Sequence, residues 1–137
     1  MCKYKKKVIK VAENAPAAIG PYSLGVKTSH FFFSAGQLGI NPSTGKFVEG
    51  GIQGQTRQAL KNLQAVLATA DLDLSQVVKV TVFLEDINDF SSMNEVYAEF
   101  FKEDPPARSA VQVAALPKGG LVEIEVIAVL SNEDCGK

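Results

Sequence analysis

Hydrophobic and polar positions along the chain predict a mixture of helices and strands. Between Gly51 and Ala70 the apolar positions recur at steps of three and four residues, which is typical of one face of an amphipathic helix. Val77–Leu84 is a run of β-branched and mostly apolar residues, which predicts a well-covered strand. A second helix is predicted from an N-cap at Asp89 to about Phe101.

The other periodic segments predict further strands, separated by Gly- and Pro-rich turns. These strands are predicted at Val8–Val11, Tyr22–Val26, His30–Ala35, Arg108–Ala115 and Leu121–Leu130. The order β-β-β-α-β-α-β-β predicts an α+β fold with a single mixed sheet and two helices on one face. We expect one domain over residues 1–137, with a frayed tail at about 131–137. The other sheet face is also apolar at many positions, so we expect another subunit to cover it.

Each predicted helix has one face that should be buried. The polar side of the first helix is expected to hold Arg57, Lys61, Asn62 and Gln64. The buried stripe of the second helix is expected to be Phe90, Met93, Val96, Tyr97 and Phe100. Gly36 directly follows an aromatic strand, and a glycine in that place indicates a bulge or a close backbone approach.

Composition and charge narrow the function classes. The 137 residues include 14 basic and 15 acidic side chains, giving a net charge of −1. The isoelectric point near 5.8 is far below that of a typical nucleic-acid-binding domain. The basic cluster Lys3, Lys5, Lys6 and Lys7 is read either as a short RNA-binding arm or, preferably, as a solvated lead-in to the first strand. No signal peptide or membrane-length apolar run is visible, so we expect a cytoplasmic protein.

Cysteine and histidine offer little chemistry in this sequence. Cys2 and Cys135 lie at opposite ends of the chain, with no other ligand residues at metal-site spacing. Free thiols favour a reducing compartment. The single histidine, His30, begins an apolar strand and is expected to be structural rather than part of a catalytic triad.

The last predicted strand carries the most unusual feature, two glutamates in an otherwise apolar run. Because strand side chains alternate, Glu123 and Glu125 should project to the same face. That face either opens on water or meets a cation, since an unpaired carboxylate in apolar surroundings is unfavourable. Arg108, at the start of the preceding strand, is the candidate cation. It would form either a surface ion pair or two parallel hydrogen bonds to a carboxylate or phosphate. A five-residue turn would place Arg108 and Glu123 on opposite faces and one more residue would place them together, so the register stays open.

Two other polar residues are candidates on weaker grounds. Tyr22 follows Gly20-Pro21, and its hydroxyl either closes a pocket or belongs to the core. Asn94 lies at the edge of the apolar stripe of the second helix, where a solvated residue is the simpler interpretation.

The motifs together resemble the RidA/YjgF family of small cytosolic proteins, also described as reactive-intermediate deaminases. The resemblance extends from Ala12 to Leu130. Its most specific part runs from Pro106-Ala107-Arg108-Ser109-Ala110-Val111 through Leu116-Pro117 to Glu123-Ile124-Glu125, and it is supported by Asn14-Ala15-Pro16-Ala17-Ala18-Ile19-Gly20-Pro21-Tyr22, Ser34-Ala35-Gly36-Gln37 and Asp86-Ile87-Asn88-Asp89-Phe90 with Asn94.

The resemblance implies a chorismate-mutase-like α+β fold and a homotrimer with ligand clefts between subunits. It also implies hydrolysis of 2-imino acids, such as 2-iminobutanoate and 2-iminopropanoate, to 2-oxo acids and ammonia, with no metal or organic cofactor. By the family motif, Arg108 would grip the substrate carboxylate and Glu123 would position or activate water. Tyr22 and Asn94 would line the cleft, and backbone groups near Gly36 and Ala110 would orient the imine.

This sequence differs from many family members at one position of the motif, and two functions other than deamination are also considered. Many deaminating members have cysteine where this chain has Ala110, which bears on substrate range more than on reaction type. Relatives are also described as translation inhibitors with ribonuclease-like activity, an RNA-acting role that the acidic isoelectric point disfavours. The remaining alternative is a non-enzymatic trimer that binds a small carboxylate or a partner protein.

Overall fold

In the described part of the chain, a seven-stranded mixed sheet carries two α-helices on one of its faces. The computed structural model describes residues 5–131. The strands are β1 (Lys7–Ile9), β2 (Gly25–Lys27), β3 (Phe31–Ser34), β4 (Gln37–Leu38), β5 (Val77–Leu84), β6 (Ala107–Gln112) and β7 (Val122–Val129), and the helices are α1 (Gly51–Thr69) and α2 (Phe90–Phe100). Their order across the sheet is β1-β2-β3-β7-β5-β6, with β4 also pairing with β7. Among the strands of residues 5–131, only β5 and β6 pair in parallel, so the predicted α+β class with a single mixed sheet is confirmed.

The core lies between the helices and one face of the central strands. Alternate residues of β5 and β7 point towards the helices and are buried, as the strand periodicity requires. The predicted apolar face of α1 is buried against them. The fully buried members of this core include Leu60, Leu63, Val66, Leu67, Val80, Val82, Leu84, Met93, Val122, Ile124 and Ala128.

Several predicted boundaries are shifted. The second strand begins at Gly25 rather than Tyr22, because the Tyr22 N–H donates to the Gly20 carbonyl and keeps the chain in a turn. The strand that contains Arg108 ends at Gln112, three residues before the predicted end at Ala115. The two-residue strand β4 was not predicted, because a segment this short has no measurable period.

Two residues of the helices depart from their predicted environments. Asn62 was predicted on the solvated side of α1, yet it is fully buried. Its side-chain amide donates hydrogen bonds to the carbonyls of Leu38 and Ile40, at 3.1 and 2.9 Å. These bonds satisfy the buried amide and connect β4 to α1. Phe90 was predicted in the buried stripe of α2, but it lies at the first turn and is 37% exposed beneath the side chain of Arg108.

A β-bulge separates β3 from β4. Both strands pair with β7, and Phe33 opposes Ile127 whereas Gln37 opposes Ile124. The chain therefore advances four residues from β3 to β4 while β7 advances three, which is one extra residue in the bulged segment. Within the interruption, the Val126 N–H donates to the hydroxyl of Ser34 at 2.9 Å. The bulge predicted at Gly36 is therefore confirmed, and it opens the sheet next to Glu123.

The face of the sheet opposite the helices is rich in apolar residues that no described part of the chain covers. The exposed apolar residues on this face are Phe31, Phe33, Val111 and Val129. Each alternates along its strand with a residue that faces the helices, or pairs with a residue of this same face. Each of the four is more than a third exposed. Apolar side chains clustered on one face are typical of a surface that binds another protein.

Some sequence predictions fall outside the described residues. These concern Cys2, Lys3, Cys135 and the tail beyond residue 131.

Among the helices within residues 5–131, none is both long enough and apolar enough to cross a membrane.

Candidate active site

A cleft of about 570 Å³ opens beside the bulge. One wall is the loop at residues 16–22, and the other is formed by the bulge, by β4 and by the turn before β7. Most of its lining is apolar, with few polar groups, which is the composition expected of a small-molecule site. The residues that line it include Pro16, Ala18, Ile19, Tyr22, Gly36, Gln37, Ile40, Pro42, Lys118 and Glu123.

Glu123 is the carboxylate of this cleft. It lies in β7 opposite Leu38 on one side and Phe83 on the other. Because the flanking residues Val122 and Ile124 point into the core, Glu123 points to the other face of the sheet, together with Glu125 as predicted. Burial raises the pKa of the Glu123 carboxyl, and the neighbouring charge of Glu125 raises it further. A carboxyl with a raised pKa is a better proton acceptor, and it lies here beside an apolar cavity.

The bulge glycine leaves room for this carboxylate. A Cβ atom on Gly36 would lie 2.8 Å from the Cδ, Cγ and Oε1 atoms of Glu123, closer than real Cβ contacts allow. The absence of a side chain at Gly36 therefore lets the Glu123 side chain lie against the backbone of the bulge.

Gly36→Ala is expected to push the Glu123 carboxylate out towards water and so to lower its pKa towards the ordinary value. NMR titration of carboxyl-labelled glutamate measures this change. Gly20→Ala is the matched control, because its added methyl would meet only the ring of Tyr22, at 3.4 and 3.5 Å. A Glu123 pKa that is the same in Gly36→Ala as in the wild type would contradict the contact.

Glu123→Gln is expected to raise the free energy of unfolding relative to the wild type at about pH 7–8, with the difference closing by about pH 4. A carboxyl whose pKa is higher in the folded state contributes stability that is present below its unfolded pKa and lost as the pH rises through its folded pKa. The glutamine does not titrate, so it avoids this loss. Urea unfolding at fixed protein concentration tests the sign. A variant less stable than the wild type at neutral pH would contradict the raised pKa of Glu123.

Tyr22 lies at the rim of the cleft and is 45% exposed. Its hydroxyl accepts a hydrogen bond from the Ile19 N–H at 3.1 Å, which holds the ring against its own loop. The pocket interpretation of Tyr22 thus agrees with its place in the structure, and the core interpretation does not.

Arg108 lies on the other side of the sheet from Glu123. In the parallel ladder it is level with Val80, whose side chain is buried beneath the helices, whereas Glu123 is level with Phe83 on the opposite face. The hairpin turn on which the sequence prediction depended does not form, because β5 lies between β6 and β7. The pairing of both strands with β5 separates Arg108 from Glu123 within a chain. The hypothesis that Arg108 is the cation that meets the two glutamates does not hold inside one subunit.

Aromatic rings of α2 surround the Arg108 guanidinium. Its Cζ atom lies 4.6 Å from the ring centroid of Tyr97 and 5.4 Å from that of Phe90, both within cation–π range. Asn94 follows Phe90 by four residues and so lies on the same helix face. Ala110 is half-buried two residues after Arg108, on the same side of β6.

The six predicted site residues thus form two groups in a single chain. Tyr22, Gly36 and Glu123 line the cleft, which we call the carboxylate half-site. The other group, Asn94, Arg108 and Ala110, lies at the edge strand β6 and on α2, and we call it the arginine half-site. The alternation of side chains along a strand was the only sequence signal that could separate the two groups. It could not be applied without knowing which strands pair and in what register.

The sequence interpretation missed other residues of these half-sites. Gln37 is buried at the cleft and Lys118 lies at its mouth, where its backbone adopts a left-handed conformation with φ of 57°. Tyr97 was assigned only to the core, although its ring also contacts Arg108. No pattern marks such residues in a sequence, because their roles come from folding distant segments together.

Metal ligands do not cluster in the part of the chain that the structure describes. Within residues 5–131, no group of three or more His, Cys, Asp or Glu side chains is placed to hold a metal ion.

The matching family model and the similar sequences indicate the same protein family. The model of the endoribonuclease L-PSP family matches residues 12–130, which is the same range over which the sequence motifs resemble the RidA/YjgF family. A RutC family protein from Pyrococcus horikoshii is 57% identical over 116 residues, covering 85% of this chain and 92% of that protein. The 2-iminobutanoate/2-iminopropanoate deaminase of Homo sapiens is 49% identical over 124 residues, which is 90% of each chain.

A solved structure agrees with both the sequence match and the fold. A Rid family protein from Yersinia pestis is 50% identical and superimposes with a TM-score of 0.87, covering 92% of this chain and all of the other. The family model spans far more than half of the chain, and several relatives exceed 45% identity over most of their length. The chain therefore belongs to the RidA/YjgF family.

Proposed function

We propose that this protein hydrolyses reactive 2-imino acids, such as 2-iminobutanoate and 2-iminopropanoate, to 2-oxo acids and ammonia. The observation that carries the proposal is the cleft in which Glu123, with a raised pKa, is the carboxylate of a mostly apolar lining. Relatives about 50% identical over most of the chain are named 2-iminobutanoate/2-iminopropanoate deaminases, which supports the same activity here.

We propose further that the complete site forms between two copies of the chain, in a homotrimer. Arg108 and Glu123 lie on opposite faces of one sheet, so one molecule cannot apply both to a small substrate. Exposed Phe31 and Phe33 provide an apolar surface that a second copy would cover. A head-to-tail contact that closes into a ring places the arginine half-site of one copy against the carboxylate half-site of the next.

The chemistry needs few groups because the imine carbon is already electrophilic. Arg108 binds the substrate carboxylate with two hydrogen bonds and so fixes the plane of the adjacent imine. Glu123 accepts a proton from a water molecule as the water oxygen bonds to the imine carbon. That proton passes to the nitrogen and leaves a carbinolamine. Glu123 then takes the hydroxyl proton and delivers it to the nitrogen as the carbon–oxygen double bond forms and the carbon–nitrogen bond breaks, so that the 2-oxo acid and ammonia leave. Each turnover consumes one water and restores the carboxylate.

The other residues of the two half-sites have supporting roles in this proposal. Tyr22 closes the rim of the cleft, and the backbone at Gly36 lies beside Glu123, where it orients the imine. Asn94 and the backbone at Ala110 complete the arginine side. Ala110 offers no thiol, so the mechanism proposed here uses none. No step calls for a metal or an organic cofactor, and that expectation stays a prediction, as does a cytoplasmic location.

Two alternatives have a specific observation in their favour. The matching family model is described as an endoribonuclease, which favours an RNA-acting protein. The solved structure of a relative from E. coli, 44% identical to this chain, contains bound serine, which favours a binding protein for small carboxylates. The net charge of −1 and the acidic isoelectric point argue against strong phosphate-backbone binding.

The deciding experiment measures ammonia and 2-oxo acid released from a 2-imino acid that an amino acid oxidase has freshly generated. We expect release well above the spontaneous rate, proportional to protein concentration. Release at only the spontaneous rate, with retained affinity for a small carboxylate, would favour the binding protein. Binding of RNA by homogeneous protein at physiological salt would favour the RNA-acting alternative.

A further inference from the structure

Arg108 is held by aromatic rings rather than by an ion pair. Among the described residues the structure contains a salt bridge between Arg57 and Glu99, and no carboxylate lies within ion-pair distance of Arg108. Its guanidinium lies instead over the rings of Tyr97 and Phe90. An aromatic ring attracts the cation without neutralising it, so the full charge of Arg108 stays available to a ligand carboxylate.

We propose that Tyr97 is a positioning residue, whose ring sets the plane in which the Arg108 guanidinium meets the substrate carboxylate. This inference rests on the proposed role of Arg108 as the carboxylate anchor. The contact to Tyr97 is the closer of the two, at 4.6 Å against 5.4 Å for Phe90. Tyr97 is also the more rigid support, because it is 7% exposed whereas Phe90 is 37% exposed.

The ring of Tyr97, rather than its hydroxyl, fixes this arrangement. Its ring centroid lies 4.7 Å from that of Phe101, with an interplanar angle of 32°, so Tyr97 contacts both Phe101 and Arg108. The hydroxyl is buried and, within residues 5–131, makes no hydrogen bond of ordinary length and angle. Burial raises the pKa of the Tyr97 hydroxyl, and the charge of the nearby Arg108 and a weak side-chain contact with it offset part of that rise. The ring contacts to Phe101 and Arg108 therefore account for the placement of this side chain.

A fixed guanidinium plane matters because bidentate recognition depends on orientation. The long arginine side chain has many rotamers, and ordering it at the moment of binding weakens affinity. A ring that already holds the guanidinium removes part of that loss before the substrate arrives.

Isothermal titration of the intact oligomer with 2-oxobutanoate, a stable 2-oxo acid, tests the inference. Tyr97→Leu removes the ring and is expected to weaken binding about tenfold, equivalent to about 1.4 kcal/mol and within the range of a cation–π pair. Tyr97→Phe keeps the ring and should restore affinity to within about twofold, since phenylalanine supports a similar interaction. Phe101→Leu is the matched control, because it removes a ring from the same cluster without touching Arg108, and its affinity should match the wild type.

The outcomes separate positioning from simple packing. Equal weakening by Tyr97→Leu and Phe101→Leu would overturn the inference, because it would show a general loss of core order. Tyr97→Phe as impaired as Tyr97→Leu would overturn it too, since the hydroxyl would then carry the effect. If Tyr97→Leu does not fold, Tyr97→Met serves as the ring-free variant, because methionine adapts to irregular space.

Arg108→Ala distinguishes a failure of this inference from a failure of the proposed function. If Arg108→Ala loses affinity for 2-oxobutanoate while Tyr97→Leu keeps it, only the positioning role of Tyr97 is wrong. If Arg108→Ala binds as the wild type does, the anchor itself is wrong, and with it the proposed site.

Discussion

Arg108→Ala is expected to lower kcat/KM for hydrolysis of 2-imino acids by roughly 30- to 4,000-fold. The range follows from the loss of one partner of a buried charged pair, about 2–5 kcal/mol. The fold should survive, because Arg108 lies near the start of the edge strand β6 and is only half-buried. Steady-state kinetics, with circular dichroism as the check on folding, measures the effect.

Arg108→Lys separates orientation from charge. Lysine keeps the positive charge but is a single-point donor on a flexible stem, so it should recover only a small part of the lost activity. A lysine variant that retains most of the wild-type kcat/KM would contradict the bidentate anchor. In that event Arg108 would act as a rim charge, whose loss is worth about 1 kcal/mol or less.

Glu123→Gln is expected to lower kcat by roughly 10²- to 10⁴-fold, the usual effect of losing a general base. Glutamine preserves the shape beside Gly36 but cannot accept the proton from water, so ligand binding should change far less than turnover. Single-turnover kinetics and titration with 2-oxobutanoate measure the two quantities separately.

Glu125→Gln is the matched control for this prediction. Glu125 lies two residues away on the same sheet face, level with Thr81, and does not line the cleft. We expect a much smaller loss of kcat than for Glu123→Gln. If Glu123→Gln turns over as fast as the wild type, the water-activating role belongs to Glu125 or to solvent.

Much of the fold was predictable because its helices and longest strands have strong periodicity. The strand Val77–Leu84 was predicted to the residue, and α1 differs by one residue at its end. Asn62 was placed wrongly because periodicity reports the residue type on a face, whereas this amide is buried where it donates to the carbonyls of Leu38 in β4 and of Ile40, which are distant in sequence. Such long-range hydrogen bonds have no local signature in sequence.

The candidate site was predictable as a set of residues but not as an arrangement. The family motif pointed to Arg108 and Glu123, and alternation along β7 correctly put Glu123 with Glu125. Whether Arg108 joins them depends on the parallel pairing of β5 with β6, which a crossover through α2 determines. The packing of Tyr97 against Arg108 depends on the same crossover, so it was equally invisible in the sequence.

The central claim is that each active site takes Arg108 from one copy and Glu123 from another, and subunit mixing tests it most directly. Arg108→Ala and Glu123→Gln chains, each inactive alone, are co-assembled in equal amounts and assayed for deamination. A site is intact when an Arg108→Ala chain supplies Glu123 and its Glu123→Gln neighbour supplies Arg108, which random assembly of a closed ring gives at about one quarter of the sites. We therefore predict recovery of about one quarter of wild-type activity. A mixture no more active than the separate variants, despite demonstrated subunit exchange, would contradict the shared site.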